Sequence, residues 1–162
     1  MLRRLERGPR TRAQLAEACV RRGVPSWATE QVLDRFTELG LVDDEAFAAA
    51  WVDSRHAGRG LARRALRHEL TSRGVDRDTV DEALQRVDAD DERAAAAALV
   101  QARLPALARV DHATRVRRLQ GLLGRRGYSA GLSMAVIAEV LADHGGDAAD
   151  AVARAAEGDL GP

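Results

Sequence analysis

A segment of about fifty residues is written three times in this chain, and that repetition constrains the fold more than any other feature. Gly23, Gly74 and Gly127 stand 51 and 53 residues apart. Aligned on them, Arg22, Arg73 and Arg126 come immediately before, and Val24, Val75 and Tyr128 immediately after. Cys19, Leu70 and Leu123 fall four residues before the glycines, and Leu15, Leu66 and Leu119 eight before. Leu33, Leu84 and Ile137 follow ten after. The unit reads as helix, Arg-Gly turn, helix. Units of this length that each bury a neighbour's apolar face make a tandem helical array.

The rest of the pattern is helical too. Ile137 is the only Ile, and runs of alternating β-branched residues are missing. Five residues are aromatic and 32 are Ala, so the core is built from Leu, Val and Ala, which suits closely packed helices. Apolar spacing predicts helices near 11–22, 28–39, 44–56, 60–73, 77–87, 90–103, 112–126 and 130–143, with a shorter one near 147–156. Gly23, Gly40, Gly74 and Gly127 are read as C-terminal caps, and Thr11, Asp43, Asp76 and Asp90 as N-caps. Gly74→Ala is expected to cost about 1 kcal/mol. Trp27 and Phe36 fall on the apolar side of their helix and are expected in the core. Cys19 aligns with Leu70 and Leu123, so it reads as core rather than nucleophile.

The fold class expected is all-α: an elongated array of three tandem three-helix repeats, the first truncated at its N-terminus. The boundaries are 1–42, 43–88 and 89–143, with an acidic C-terminal tail over 144–162. Only Leu2 to Arg7 remain for the first helix of repeat 1.

Catalytic chemistry finds no foothold. Without Lys there is no P-loop lysine, Schiff base or Ser–Lys dyad. His56, His68, His112 and His144 include no pair at helical spacing, and no Cys-x-x-Cys occurs, so no metal site is expected. Asp43, Asp44 and Glu45, like Asp90, Asp91 and Glu92, read as helix-start acids that complement the helix dipole. Gly58-Arg59-Gly60 reads as a turn between helices, and Gly131-Leu132-Ser133 lacks the strand of a nucleophile elbow. No enzyme and no cofactor are expected. The single Cys, with neither a long apolar run nor a signal peptide, points to a cytoplasmic protein without membrane attachment.

The charge pattern is the positive signal. The chain carries 25 basic and 25 acidic groups, every basic one an Arg. Residues 54–77 hold seven Arg against two acids, and residues 93–129 eight against one. Residues 78–92 and 130–162 are acidic. Arg55, Arg59, Arg63, Arg64, Arg67 and Arg73 form one candidate anion-binding cluster. Arg115, Arg117, Arg118, Arg125 and Arg126 form the other. Guanidinium groups grip phosphate bidentately, so nucleic-acid backbone is the leading partner. Neither region carries an aromatic platform for stacking bases.

Residues Gly40-Leu41-Val42-Asp43-Asp44-Glu45-Ala46-Phe47-Ala48 resemble the Gly-Leu-x-Asp-Asp-x-x-(Phe/Tyr)-Ala motif of the RecX family, bacterial modulators of the RecA recombinase. Trp51-Val52-x-x-Arg55, Gly60, Leu70-x-x-Arg73-Gly74-Val75 and Arg125-Arg126-Gly127-Tyr128 extend the resemblance over roughly residues 10–142. The family motif is carried by Gly40, Leu41, Asp43, Asp44, Phe47 and Ala48. The resemblance implies an array of three-helix repeats. It also implies a non-catalytic monomer that binds the groove of the RecA–DNA filament, contacts DNA backbone and lowers RecA's ATPase, strand-exchange and coprotease activities. Two other readings stand beside it. Residues 11–42 look like a helix-turn-helix, which would begin a winged-helix transcription factor if a β-hairpin followed. A helical-repeat scaffold with a purely protein partner would leave the arginines as solvated faces.

Overall fold

The computed structural model describes residues 8–158, with side chains described through 145. The short helix expected over Leu2 to Arg7 lies outside the described residues. Eight α-helices make up the described chain, and no strand occurs among the described residues. They are α1 (Arg12–Val20), α2 (Ser26–Glu38), α3 (Asp44–Arg59), α4 (Arg63–Thr71), α5 (Arg77–Leu84), α6 (Ala89–Arg103), α7 (His112–Arg125) and α8 (Ala130–Gly158). A 3-10 turn, Leu104–Leu107, follows α6. The chain divides into two compact units, Met1–Asp88 and Ala89–Pro162.

The Arg-Gly turn has one geometry in all three places. Gly23, Gly74 and Gly127 have φ of 73°, 77° and 93°. The N–H groups of Val24, Val75 and Tyr128 donate to the carbonyls of Cys19, Leu70 and Leu123, at 3.1, 3.3 and 3.2 Å. The glycine N–H groups donate to Val20, Thr71 and Gly124. This is the Schellman arrangement, which satisfies the last carbonyls of a helix at the cost of one left-handed residue.

Unit 1 has two cores. Leu15 and Leu33 of α1 and α2 meet Val42, with Phe36 against them. Ala48 and Val52 of α3 meet Leu66 and Leu70 of α4 and Val80 and Leu84 of α5. Full burial of each Leu or Val is worth about 1.5–3 kcal/mol. Cys19 is buried, as its repeat position implied. Asp43 and Asp76 cap α3 and α5 by accepting from Ala46 and Thr79, and Thr11 caps α1 with a full capping box.

In unit 2, α8 packs against both α6 and α7. Leu119, Leu123 and Tyr128 are buried, as are Val136 and Ile137 of α8 and Ala96 and Val100 of α6. Asp111 caps α7, accepting from Thr114.

Three expectations are corrected. Trp27 is 70% exposed, not core; it lies in the first turn of α2, where neither core cluster of unit 1 reaches. Asp90 is not an N-cap but sits inside the first turn of α6, which begins at Ala89. The separate helices near 130–143 and 147–156 are one continuous α8. Gly145 and Gly146 weaken a helix by about 1 kcal/mol each, but the alanines that follow propagate it. The side chains of the acidic tail from 146 on lie outside the described residues.

Candidate nucleic-acid interface

The family-motif residues build a junction within unit 1. Gly40 takes φ of 66° and ends α2. Leu41 is exposed, while Val42 turns into the core of α1 and α2. Asp43 caps α3, and its neighbour Asp44 accepts a 2.9 Å hydrogen bond from the backbone N–H of Arg12. Burial pushes the Asp44 carboxyl above its ordinary pKa, against the lowering effect of that hydrogen bond. Phe47 stacks on Trp51, ring centres 5.6 Å apart, and Ala48 is fully buried.

The arginines of 54–77 do not form a single face. Arg55 and Arg73 lie over the Trp51 indole, their guanidinium carbons 4.2 and 3.8 Å from its centre. Trp51 Nε1 donates to Glu69 Oε2 at 2.8 Å, and Arg55 Nε lies 3.9 Å from the same carboxylate. Arg73 also donates to the Glu69 carbonyl at 3.0 Å. These two arginines are half-buried parts of a cation–π cluster that holds one carboxylate, Glu69. Arg67 is ion-paired with Asp81. Arg59 and Arg64 are exposed, and Arg63 is half-buried.

The arginines of 93–129 behave differently. Arg115 is half-buried and donates to the carbonyls of Ala108 and Val110, at 3.4 and 3.2 Å, bracing the loop before α7. Arg117, Arg118, Arg125 and Arg126 converge on a cleft of about 580 Å³ between α6 and α7. Arg103, at the end of α6, completes the lining. No acid is among the described residues that line it. No ion pair within the described residues engages Arg103, Arg117, Arg118 or Arg125, whereas Arg93 pairs with Glu139 at 2.7 Å. In the same unit, burial pushes the Tyr128 hydroxyl up to about 12, with the Glu92 charge adding to the effect.

Arg103 belongs to the basic segment 93–129 but falls outside the cluster singled out from it, because it precedes the Arg-Gly helix. The signal that finds it is a second alignment: Ala48 and Val52, then Ala96 and Val100, are two fully buried pairs at the same spacing. That register aligns Arg103 with Arg55 in sequence.

Among the described residues, no group of three or more His, Cys, Asp or Glu could hold a metal ion. No helix among them is long and apolar enough to cross a membrane.

Known proteins place this architecture. The family model described as RecX, second three-helix domain, matches residues 43–84, which span α3 to α5. A protein named regulatory protein RecX from Thermobifida fusca is 56% identical over 144 residues, covering 89% of this chain and 78% of that one. Its namesake from Streptomyces coelicolor is 49% identical over 146 residues, covering 90% and 78%. The crystal structure of RecX from Lactobacillus salivarius superposes with a TM-score of 0.77 over 86% of this chain and 90% of that one, at 15% identity, and so shares the fold. With identity this high over most of both sequences, the chain belongs to the RecX family of regulatory proteins.

Proposed function

We propose that this protein is a non-catalytic regulator of DNA repair that binds, as a cytoplasmic monomer, in the helical groove of the RecA–DNA filament and lowers RecA's ATPase, strand-exchange and coprotease activities. Family membership supports the regulatory role. The observation that carries the filament reading is the α6–α7 cleft: four arginines outside any ion pair among the described residues, gathered where no acid of the lining offsets them. Such a surface raises the local concentration of an anionic polymer, and a RecA–DNA filament presents one along its whole length.

The winged-helix alternative needs a β-hairpin after residue 42. Helix α3 stands there instead, opened by the Asp43 cap. The scaffold alternative treats the arginines as solvated and gives no reason for their convergence on one cleft.

The test is RecA's ATPase on single-stranded DNA, titrated with this protein at two salt concentrations. Inhibition at fewer than one copy per RecA monomer is the expected result, and it should weaken at the higher salt. Unchanged ATPase at both salts, with the protein shown folded by circular dichroism, would overturn the reading.

A further inference from the structure

The two compact units carry the same helix pair, and their residues correspond one to one. Arg73-Gly74 matches Arg126-Gly127, and the buried pair Ala48 and Val52 matches Ala96 and Val100. On that register Trp51, Arg55 and Glu69 correspond to Leu99, Arg103 and Leu122. Unit 1 is therefore the version of the site that carries a carboxylate, one against two arginines. There the Trp51 indole fills the space between the helices and the Glu69 carboxylate lies within reach of the Trp51 N–H and Arg55.

Unit 2 keeps both arginine positions, with leucines where unit 1 has the indole and the carboxylate. This leaves a cleft where unit 1 is filled. Arg118 and Arg125, which line the cleft, stand where unit 1 has Ala65 and Ser72, while Val116 and Gln120 replace Arg63 and Arg67, so arginine is shifted into the cleft as the carboxylate disappears. Clustered guanidinium groups repel one another unless a counter-charge sits among them.

We infer that the α6–α7 cleft is a phosphate-binding site that grips nucleic-acid backbone, the phosphodiester taking the place that Glu69 holds in unit 1. Arg117 and Arg125 are eight residues apart, about 12 Å along the helix. The arginines thus make a track rather than a point, which fits a polymer of phosphates better than one free phosphate. Between them Gly121 carries no side chain, and the Arg125 guanidinium lies 3.3 Å from where its Cβ would be. The missing side chain at Gly121 leaves room for the Arg125 guanidinium to lie across the helix there. This inference rests on the reading that the chain touches filament DNA, and it names the part that does so.

The test restores the missing carboxylate. Leu122→Glu places it at the position of Glu69, and Leu122→Gln is the uncharged control of the same length. Binding of a fluorescein-labelled oligo-dT strand is followed by anisotropy over a salt series, without RecA. The expected result is about tenfold weaker binding for Leu122→Glu and a salt slope lower by about 0.7 for each phosphate that is no longer neutralised. Leu122→Gln should stay near wild type. The exposed double variant Arg118→Gln/Arg125→Gln should reproduce the weakening without disturbing a half-buried position.

Wild-type affinity and slope in both charge-altering variants would overturn the inference. Displacement of the strand by millimolar inorganic phosphate at matched ionic strength would overturn it in favour of a free-phosphate site. Loss of RecA inhibition with DNA binding intact in Leu122→Glu would overturn it in favour of an acidic protein surface. DNA binding that is lost in the variants, in a protein that leaves RecA's ATPase untouched, would support this site while sinking the filament reading.

Discussion

The Thr11 hydroxyl donates a 2.6 Å hydrogen bond to the carbonyl of Arg73, 62 residues away in sequence. The same oxygen accepts from the Gln14 N–H at 3.1 Å as the cap of α1. One buried hydroxyl therefore starts α1 and ties it to the Arg-Gly turn that follows α4. Thr11→Val keeps the shape and loses both bonds. It is expected to cost about 2 kcal/mol in urea unfolding, one part for the cap and one for the unsatisfied carbonyl. Thr11→Ser should cost under half of that. Equal losses would show that the γ-methyl group, not the hydroxyl, matters.

Gly74 faces the same junction. Its positive φ alone predicts a cost of about 1 kcal/mol for Gly74→Ala. The structure adds a collision: a Cβ there would stand 2.3 Å from the Cβ of Ala13. Overpacking of that kind raises the expected loss to about 2–4 kcal/mol. Gly23 has the same turn with nothing within 4 Å, so Gly23→Ala should stay near 1 kcal/mol. Ala13→Gly in the Gly74→Ala background should recover part of the difference. No recovery would place the strain in the backbone alone.

The turns were legible in the sequence because a left-handed residue needs glycine, and Arg-Gly recurs at one spacing. Cys19 was legible by the same alignment. Trp27 was not, because periodicity names the apolar side of a helix without saying whether another element covers it. At Val24, 37% exposed beside buried Val75 and Tyr128, the coverage also differs between equivalent positions. The cap of α6 was misplaced because several adjacent acids offer themselves and local pattern does not choose among them. The two helices expected near 130–143 and 147–156 are one because the cost of Gly145 and Gly146 is local, whereas the helix is carried through by its alanines. The cleft was half legible: the α7 arginines stood out as charge, but Arg103 and the loss of Glu69's counterpart emerge only when the two units are matched.

The Trp51 cluster predicts a stability effect specific to unit 1. Trp51→Leu copies Leu99 and removes the cation–π pairing with Arg55 and Arg73, the Phe47 stack and the hydrogen bond to Glu69. A loss of about 3 kcal/mol is expected in urea unfolding. Trp51→Phe keeps a ring face and loses the N–H, so it should cost roughly half as much. A loss well under 1 kcal/mol for Trp51→Leu would show that the arginines and Glu69 hold α3 and α4 together without the indole.

The acid limb of stability should reveal the aspartate caps. Hydrogen bonds from the Thr79 hydroxyl and N–H hold the Asp76 carboxyl below its ordinary pKa, and Thr114 does the same for Asp111. A depressed folded pKa means the folded chain binds the proton less readily than the unfolded chain. The contribution of each cap is therefore full above the ordinary aspartate value of about 3.9 and is lost as pH falls through the lower folded values. Asp76→Ala should cost about 1 kcal/mol at neutral pH. That penalty should shrink as pH drops through this window, because the wild type is then losing the same carboxylate. Asp76→Asn still caps but does not titrate, so it should be closer to wild type at neutral pH and less acid-sensitive in urea midpoint. A penalty for Asp76→Ala that stays constant from neutral pH to strong acid would mean that the carboxylate's charge plays no part in starting α5.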